Sequence, residues 1–152
     1  MSRPDREIPS EIRALFDDDE IAEIGAHPIV LGESTERDAI DMAIAWAAHV
    51  EKIDADRALP WEDRSVWTEH DLAAALYIRD FLRDALNKLS ASLRDRLQQY
   101  VATVDEHFRS YTVDDPAERM GRVAHIDLAG REWWWRRVPD SGPIVEDLAH
   151  YS

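Results

Sequence analysis

Two stretches of this chain carry side chains of the kind that hold metal ions. Asp38, Asp41 and His49 lie close to one side of a helix that starts near residue 35, and His70, Asp71, Asp80 and Asp84 crowd a second stretch. A carboxylate-bridged site in a helical bundle, however, draws glutamates from several helices, with a Glu and a His three residues apart on two of them. No such pair stands here. The six histidines (27, 49, 70, 107, 125 and 150) are never three or four residues from one another, so the helical zinc arrangement is missing as well. The acidic run Asp17, Asp18, Asp19, Glu20 lacks the glycine and glutamate register of a calcium loop. Neither a metal nor another cofactor is expected.

Phosphodiester chemistry is the second candidate. Arg64 precedes His70, and Arg119 precedes His125, each with five residues between, a spacing within the loose range used by HEPN-type ribonucleases. In such a site the Arg holds phosphate and the His moves a proton. The strongly polar residue that commonly follows the Arg is missing, and a net charge of -14 repels RNA. Five glycines give neither a phosphate loop nor a dinucleotide fingerprint, no Gly-flanked nucleophile elbow is present, and the absence of cysteine excludes thiol catalysis, zinc thiolates and disulfides. A small helical enzyme, metal-dependent or a ribonuclease of this type, is the alternative reading. Nothing here names a catalytic residue.

The third candidate is recognition. Six tryptophans in one chain is dense, and Trp with Arg dominates the side chains whose truncation damages interfaces. Trp133, Trp134 and Trp135 stand next to Arg136 and Arg137, where a cation over an aromatic face grips a partner; Trp61 and Trp67 lie in a loop. Charge is uneven along the chain. Residues 1–67 hold 17 acidic and 7 basic side chains, a balance of -10, against 15 and 11, or -4, for residues 68–152. The first expectation is therefore an acidic protein-binding module, of the immunity or antitoxin kind, that masks a basic partner. Carboxylates of the first half (Asp17, Asp18, Asp19, Glu20, Glu33, Glu36 and Asp38) meet the partner's cations, and Trp61, Trp67 or the Trp133–Trp135 run with Arg136 and Arg137 supplies anchors. A third reading is a homodimeric small-molecule binder, with the helix through Met42 to Val50 packed on its twin and a pocket lined by tryptophan.

The elements that must position these residues read as helices. Apolar residues recur at helical spacing at Ala74, Ile78, Phe81, Leu82, Ala85 and Leu89, and again at Leu93, Leu97, Tyr100, Val101, Val104, Phe108 and Tyr111, with Asp105 among the residues pointing elsewhere. Two such stripes bury each other as an antiparallel helical hairpin over residues 68–113, turning near Ser90 to Ser92. Before it, Ser10 caps a short helix, Ile29–Leu31 reads as a buried connection, and Thr35 with Asp38 forms a capping box for a helix that is apolar nearly all round, from Ile40 to Ile53. Thr68 with Asp71 caps the next. Beyond Val113, Asp115 and Pro116 open a short helix through Ile126, and residues 130–139 are either extended, in a hairpin with 126–128, or a helical turn. Ser141, Gly142 and Pro143 lead into a last helix.

The fold class is thus all-α, a bundle of about five helices forming a single domain over residues 1–152, with residues 1–9 disordered. No signal-peptide core and no run of roughly 18 to 20 apolar residues occurs, so a soluble cytoplasmic protein is expected, with a membrane excluded and nucleic acid disfavoured by charge.

Overall fold

The computed structural model describes residues 6–151. It is mostly helical, with seven α-helices and four three-residue strands among the described residues: α1 (Ser10–Arg13), α2 (Asp18–Gly25), β1 (Ile29–Leu31), β2 (Thr35–Arg37), α3 (Ala39–Asp56), α4 (Glu69–Leu86), α5 (Ala91–Tyr111), β3 (Thr112–Asp114), α6 (Arg119–Ala124), β4 (Arg137–Pro139) and α7 (Pro143–Leu148). The chain divides into two compact units, one made of Met1–Ala47 with Ile78–Val104, the other of Ala48–Tyr77 with Asp105–Ser152. No helix among the described residues is long and apolar enough to cross a membrane.

In the first unit, Pro9 rather than Ser10 precedes α1; the Ser10 hydroxyl turns to Glu11 instead of capping. The acidic run then has a local task. Asp17 Oδ1 accepts from Glu20 N at 2.8 Å while Asp17 N donates to Glu20 Oε1 at 3.0 Å, a reciprocal box that satisfies two of the free amides at the start of α2. Ile29–Leu31 is a strand, not a connection: it pairs antiparallel with Thr35–Arg37 in the register Ile29 to Arg37 and Leu31 to Thr35, and Gly32, at φ 63°, makes the turn. That pairing engages the residues expected to open α3. The capping box consequently falls three residues later, with Asp41 N donating to Asp38 Oδ1 and Asp38 N to Asp41 Oδ2. Residues 6–9, part of the stretch expected to be disordered, are tied in by Arg6, whose guanidinium reaches both Asp38 and Asp41; residues 1–5 lie outside the described residues.

The long helices bury the faces their sequences suggest, with corrections. On α5 the apolar stripe is sealed as expected except that Tyr100 is half-buried, and Asp105, expected to point elsewhere, is buried too. On α4, Leu82 and Ala85 are sealed as expected, and so is Leu89 just beyond the helix, whereas Ala74 is exposed and Ile78 and Phe81 are half-buried; Leu72, Ala73, Ala75, Leu76 and Leu86 complete the buried face together with Arg79 and Asp80. Asn87 to Ser90 link α4 to α5. On α3, Met42, Trp46 and Val50 are buried within one copy of the chain.

In the second unit the loop after α3 is nailed down by Asp56, a buried carboxylate that accepts from Lys52 Nζ at 2.6 Å and from Trp67 N at 2.8 Å. Thr68 and Asp71 then cap α4, as their spacing indicates. Strand β3 continues straight from α5 and pairs antiparallel with β4, so the segment 126–128 expected in that role is not a strand. Helix α6 begins at Arg119, three residues after Pro116, and is bracketed by Glu118 and His125, both in the left-handed region. The tryptophan run forms a turn of 3₁₀ helix, Trp133–Arg136. Helix α7 starts at Pro143, where a proline at the first helical position lacks only an N–H that had no partner anyway.

Candidate functional site

The residues singled out for recognition divide between surface and interior. In the first unit, Asp18, Asp19, Glu33 and Glu36 are exposed, and Val30, 60% exposed, stands directly across the β1–β2 ladder from Glu36. Asp17 is occupied with capping, and Glu20 adds an ion pair to Arg96, whose guanidinium also bonds the Leu15 carbonyl and covers the Phe16 ring. The Arg96 hydrogen bond holds the Glu20 carboxyl below the usual range. Asp38 is withdrawn from the surface altogether. Burial works to lower the Arg6 pKa, but hydrogen bonds and attraction from Asp38 and Asp41 overcome it and raise it, so the trio is a local clamp rather than a docking point.

In the second unit the tryptophans differ sharply. Trp134 and Trp135 are 2% and 0% exposed, and Trp135 meets Tyr77 edge-on with centroids 4.9 Å apart; neither ring is available to a partner. Trp133 is half-buried beside Phe108, and its face is already covered by Arg109, 3.7 Å from the ring centroid. Arg136 is engaged by Glu118 and the Leu128 carbonyl, and Arg137 by Thr112, Asp114 and the Arg109 carbonyl. The cations next to the run thus fasten the unit's own backbone. Trp67 lies half-buried between His49 and Lys52. Trp61 alone of the six indoles is exposed, at 50%, with its Nε1–H donated to Asp147 at 2.7 Å. Leu59 and Pro60, next to it, are exposed as well.

The metal and nuclease constellations fare differently. Asp38 and Asp41 serve Arg6, Asp71 caps α4, and Asp80 and Asp84 flank Arg83, so these carboxylates already have cations or amides. Among the described residues no three His, Asp or Glu side chains gather as metal ligands do. Arg119 is drawn to the buried Asp115, which accepts from both its Nε and its amide. Among the described residues no hydrogen bond or ion pair joins Arg119 to His125, or Arg64 to His70. His125 does line an open cleft of about 470 Å³ with Glu118, Arg122 and Asp127, but Arg122 is turned to the Tyr151 carbonyl and Glu118 to Arg136.

A grouping that spacing did not reveal lies on the second unit, where an open cleft of about 480 Å³ is lined by Glu51, Asp54, Arg57, His107 and Ser141, with Ala55 and Ala58 as apolar wall. Asp54 is its centre. It accepts from His107 Nε2 at 2.8 Å and from Arg57 Nε and NH2 at 3.1 and 2.8 Å. The His107 hydrogen bond, against the effect of burial and with help from Arg57, keeps the Asp54 carboxyl below its ordinary value. Arg57 also bridges to Asp140 at 2.7 Å and lies over the Tyr111 ring, 5.0 Å from its centroid. Tyr111 is sealed beneath, its hydroxyl donating to the Val50 carbonyl, and burial pushes its phenol well up. Asp54 and Arg57, three apart on α3, are a pair that helical spacing allows; His107, 53 positions away, has no local signature.

Charge follows the units rather than the halves of the chain. The first unit holds 15 acidic and 9 basic residues, a balance of -6, and the second 17 and 9, a balance of -8. The unequal halves of the sequence do not become one acidic and one neutral body, because residues 78–104 bring five basic side chains into the first unit. No family model, no curated protein and no solved structure matches this chain.

Proposed function

We propose that this chain is a protein-binding module for a basic partner, of the immunity or antitoxin kind, built on a helical bundle in which residues 68–113 close as an antiparallel hairpin. The observation that carries this reading is Trp61. A half-exposed indole whose N–H is fixed by Asp147 presents a large ring to solvent in one orientation, so little entropy remains to be lost when a partner covers it. Leu59 and Pro60, exposed beside it in the chain, extend the apolar surface; Asp147 lies at the ring's edge and the exposed Glu62 follows it directly in sequence. An aromatic face rimmed by acids favours a cationic side chain over an anionic or neutral one. In the first unit, Val30 is exposed directly opposite Glu36, and Glu33, Asp18 and Asp19 are further exposed carboxylates of that unit.

The test is affinity capture from source-cell lysate with wild type, Trp61→Ala and the double variant Asp18→Lys/Asp19→Lys, at low and high salt. The expected result is a basic protein retained at low salt, weakened by added salt and lost with Trp61→Ala. Retention of no basic protein at either salt, or retention indifferent to Trp61, overturns the reading.

A further inference from the structure

We infer that the open edge of strand β1 takes an added strand, an extended basic segment of the partner lying alongside Ile29–Leu31. The inference rests on the binding reading for the source of the segment, and on the β1–β2 ladder itself for its geometry.

The backbone groups left open by this ladder can be assigned. In an antiparallel pair the hydrogen bonds fall on alternate residue pairs. Bonds at the middle pair, Val30 with Glu36, would continue at Pro28 with Asp38, but Pro28 has no N–H and Asp38 N is given to Asp41 Oδ2 at 3.0 Å. The bonds therefore join Ile29 to Arg37 and Leu31 to Thr35, and Val30 and Glu36 turn their N–H and C=O groups outward. On β2 this edge is blunted by the chain itself, since the Glu36 carbonyl accepts from Arg37 Nη1 at 2.8 Å. Along β1 the outward row is the Pro28 carbonyl, the Val30 N–H and carbonyl, and the Gly32 N–H. None of these four groups has a hydrogen-bond partner among the described residues. Val30, at 60%, is also the most exposed large apolar side chain among them.

The β3–β4 ladder shows a closed edge in the same chain. Asp115 N bonds the Arg136 carbonyl and Asp140 N the Tyr111 carbonyl, so by the same alternation the Val113 and Val138 backbones face each other and residues 112, 114, 137 and 139 face out. Of these, Pro139 has no N–H, and the Thr112 carbonyl accepts from Arg137 Nη2 at 2.6 Å. Proline and long cations are devices that keep further strands from adding. Strand β1 has neither, only Ile, Val and Leu.

Charge selects the occupant. Val30 and Glu36 are cross-strand neighbours on one face, and the carboxylates of Glu36 and of Glu33, in the turn, make no hydrogen bond or ion pair with any described residue. A strand added at β1 lies about 4.8 Å beyond it. A lysine or arginine on that strand lays its alkyl stem over Val30 and brings its charge toward Glu36, whereas an acidic segment is repelled. A second copy of the chain would bring a Glu33 and a Glu36 of its own, so the same charge disfavours self-pairing.

NMR of the whole isotopically labelled chain tests the edge with three peptides: acetyl-Lys-Val-Lys-Val-Lys-amide, the same sequence with Glu for Lys, and the basic peptide N-methylated at every residue. The basic peptide is expected to shift the Val30 and Gly32 amide signals and to slow hydrogen exchange at Val30. The acidic and methylated peptides are expected to leave both unmoved. Val30→Pro removes the central donor and should abolish binding; the methylated peptide tests the same hydrogen bonds without altering the chain. Glu36→Gln should weaken the basic peptide by about threefold, the scale of one exposed ion pair. Equal binding of the basic and acidic peptides, binding undiminished by methylation, or no shift at Val30 and Gly32 overturns the inference. So does a concentration-dependent dimer that shifts Val30 with no peptide present, which would make a second copy the occupant. A basic protein captured through Trp61 with no peptide shift refutes the edge and leaves the binding reading standing. Peptide shifts with no basic protein captured refute the partner as the source of the segment, while the edge keeps its chemistry.

Discussion

The backbone of Gly142 lies directly against that of Arg57. A methyl group on residue 142 would stand 2.7 Å from the Arg57 Cα and 3.2 Å from its carbonyl oxygen, closer than side chains and backbone approach. Gly142 also sits at φ 99°, just before the proline that starts α7. The residue that orders the Asp54 cleft is thus pressed into place by a position where no side chain fits.

Gly142→Ala should therefore cost more than its backbone conformation alone. Gly130 gives the control: it too has positive φ, at 76°, but nothing lies within 4 Å of the site of a methyl group. Gly130→Ala is expected to cost about 1 kcal/mol, the conformational penalty of a left-handed residue, and Gly142→Ala at least about 2 kcal/mol, since the clash is with backbone that cannot swing aside. Urea denaturation midpoints of the two variants check the order; equal losses would mean that the 142 segment moves away from Arg57 freely.

Asp56 is the buried charge on which the loop after α3 depends. Asp56→Ala removes the partner of Lys52 and of the Trp67 amide together, and is expected to cost about 3 kcal/mol, the low end for breaking a buried pair because Lys52 keeps some contact with water. Asp56→Asn keeps an acceptor for the amide and should cost visibly less. A denaturation series that ranks the two variants equally would assign the whole effect to the ion pair.

How much of this could be read from the residues alone depends on whether the deciding interaction is local. The α5 stripe was legible because seven apolar positions repeat without interruption, and the Thr68–Asp71 cap because its partners are three apart. The α4 face was legible only in part, at Leu82, Ala85 and Leu89 but not at Ala74, Ile78 and Phe81: alanines count as apolar on either side of a helix, and the true interior includes Arg79 and Asp80, which a hydrophobic pattern assigns to solvent. Strands of three residues are too short to show alternation, and Thr35–Arg37 contains no apolar residue at all, so β2 had no signature of its own. The tryptophan run misled because its composition suits a surface, whereas Tyr77, far away in sequence, receives Trp135. Of the Asp54 cleft only the Asp54–Arg57 spacing was visible; His107 and Ser141 arrive by tertiary folding.

The tryptophans supply a sharp contrast in stability. Trp135→Ala deletes a fully sealed ring and its edge-on contact with Tyr77, and is expected to cost about 3 to 5 kcal/mol. Trp61→Ala removes a half-exposed ring and one solvent-exposed hydrogen bond to Asp147, and should cost about 1 kcal/mol or less. Thermal unfolding of both variants checks this. A large loss at Trp61 would make that ring structural and take away the argument for it as an anchor.

The pH dependence of the cleft carries a definite sign. His107 first, and Arg57 with it, hold the Asp54 carboxyl below its ordinary 3.8 in the folded chain. A group whose pKa is lowered by folding is protonated more readily in the unfolded chain. Its contribution is therefore fully present above about pH 4 and disappears as pH falls through the lowered value. Asp54 is one-third exposed, so solvent screening limits that contribution to about 1 kcal/mol or less. Wild type should be more stable than Asp54→Asn at pH 6, and the gap should close steadily as the pH is taken from 4 toward 2. A gap that stays constant over that range would show that Asp54 acts through shape and neutral hydrogen bonding alone, and that its ionised form has no preferred place between His107 and Arg57.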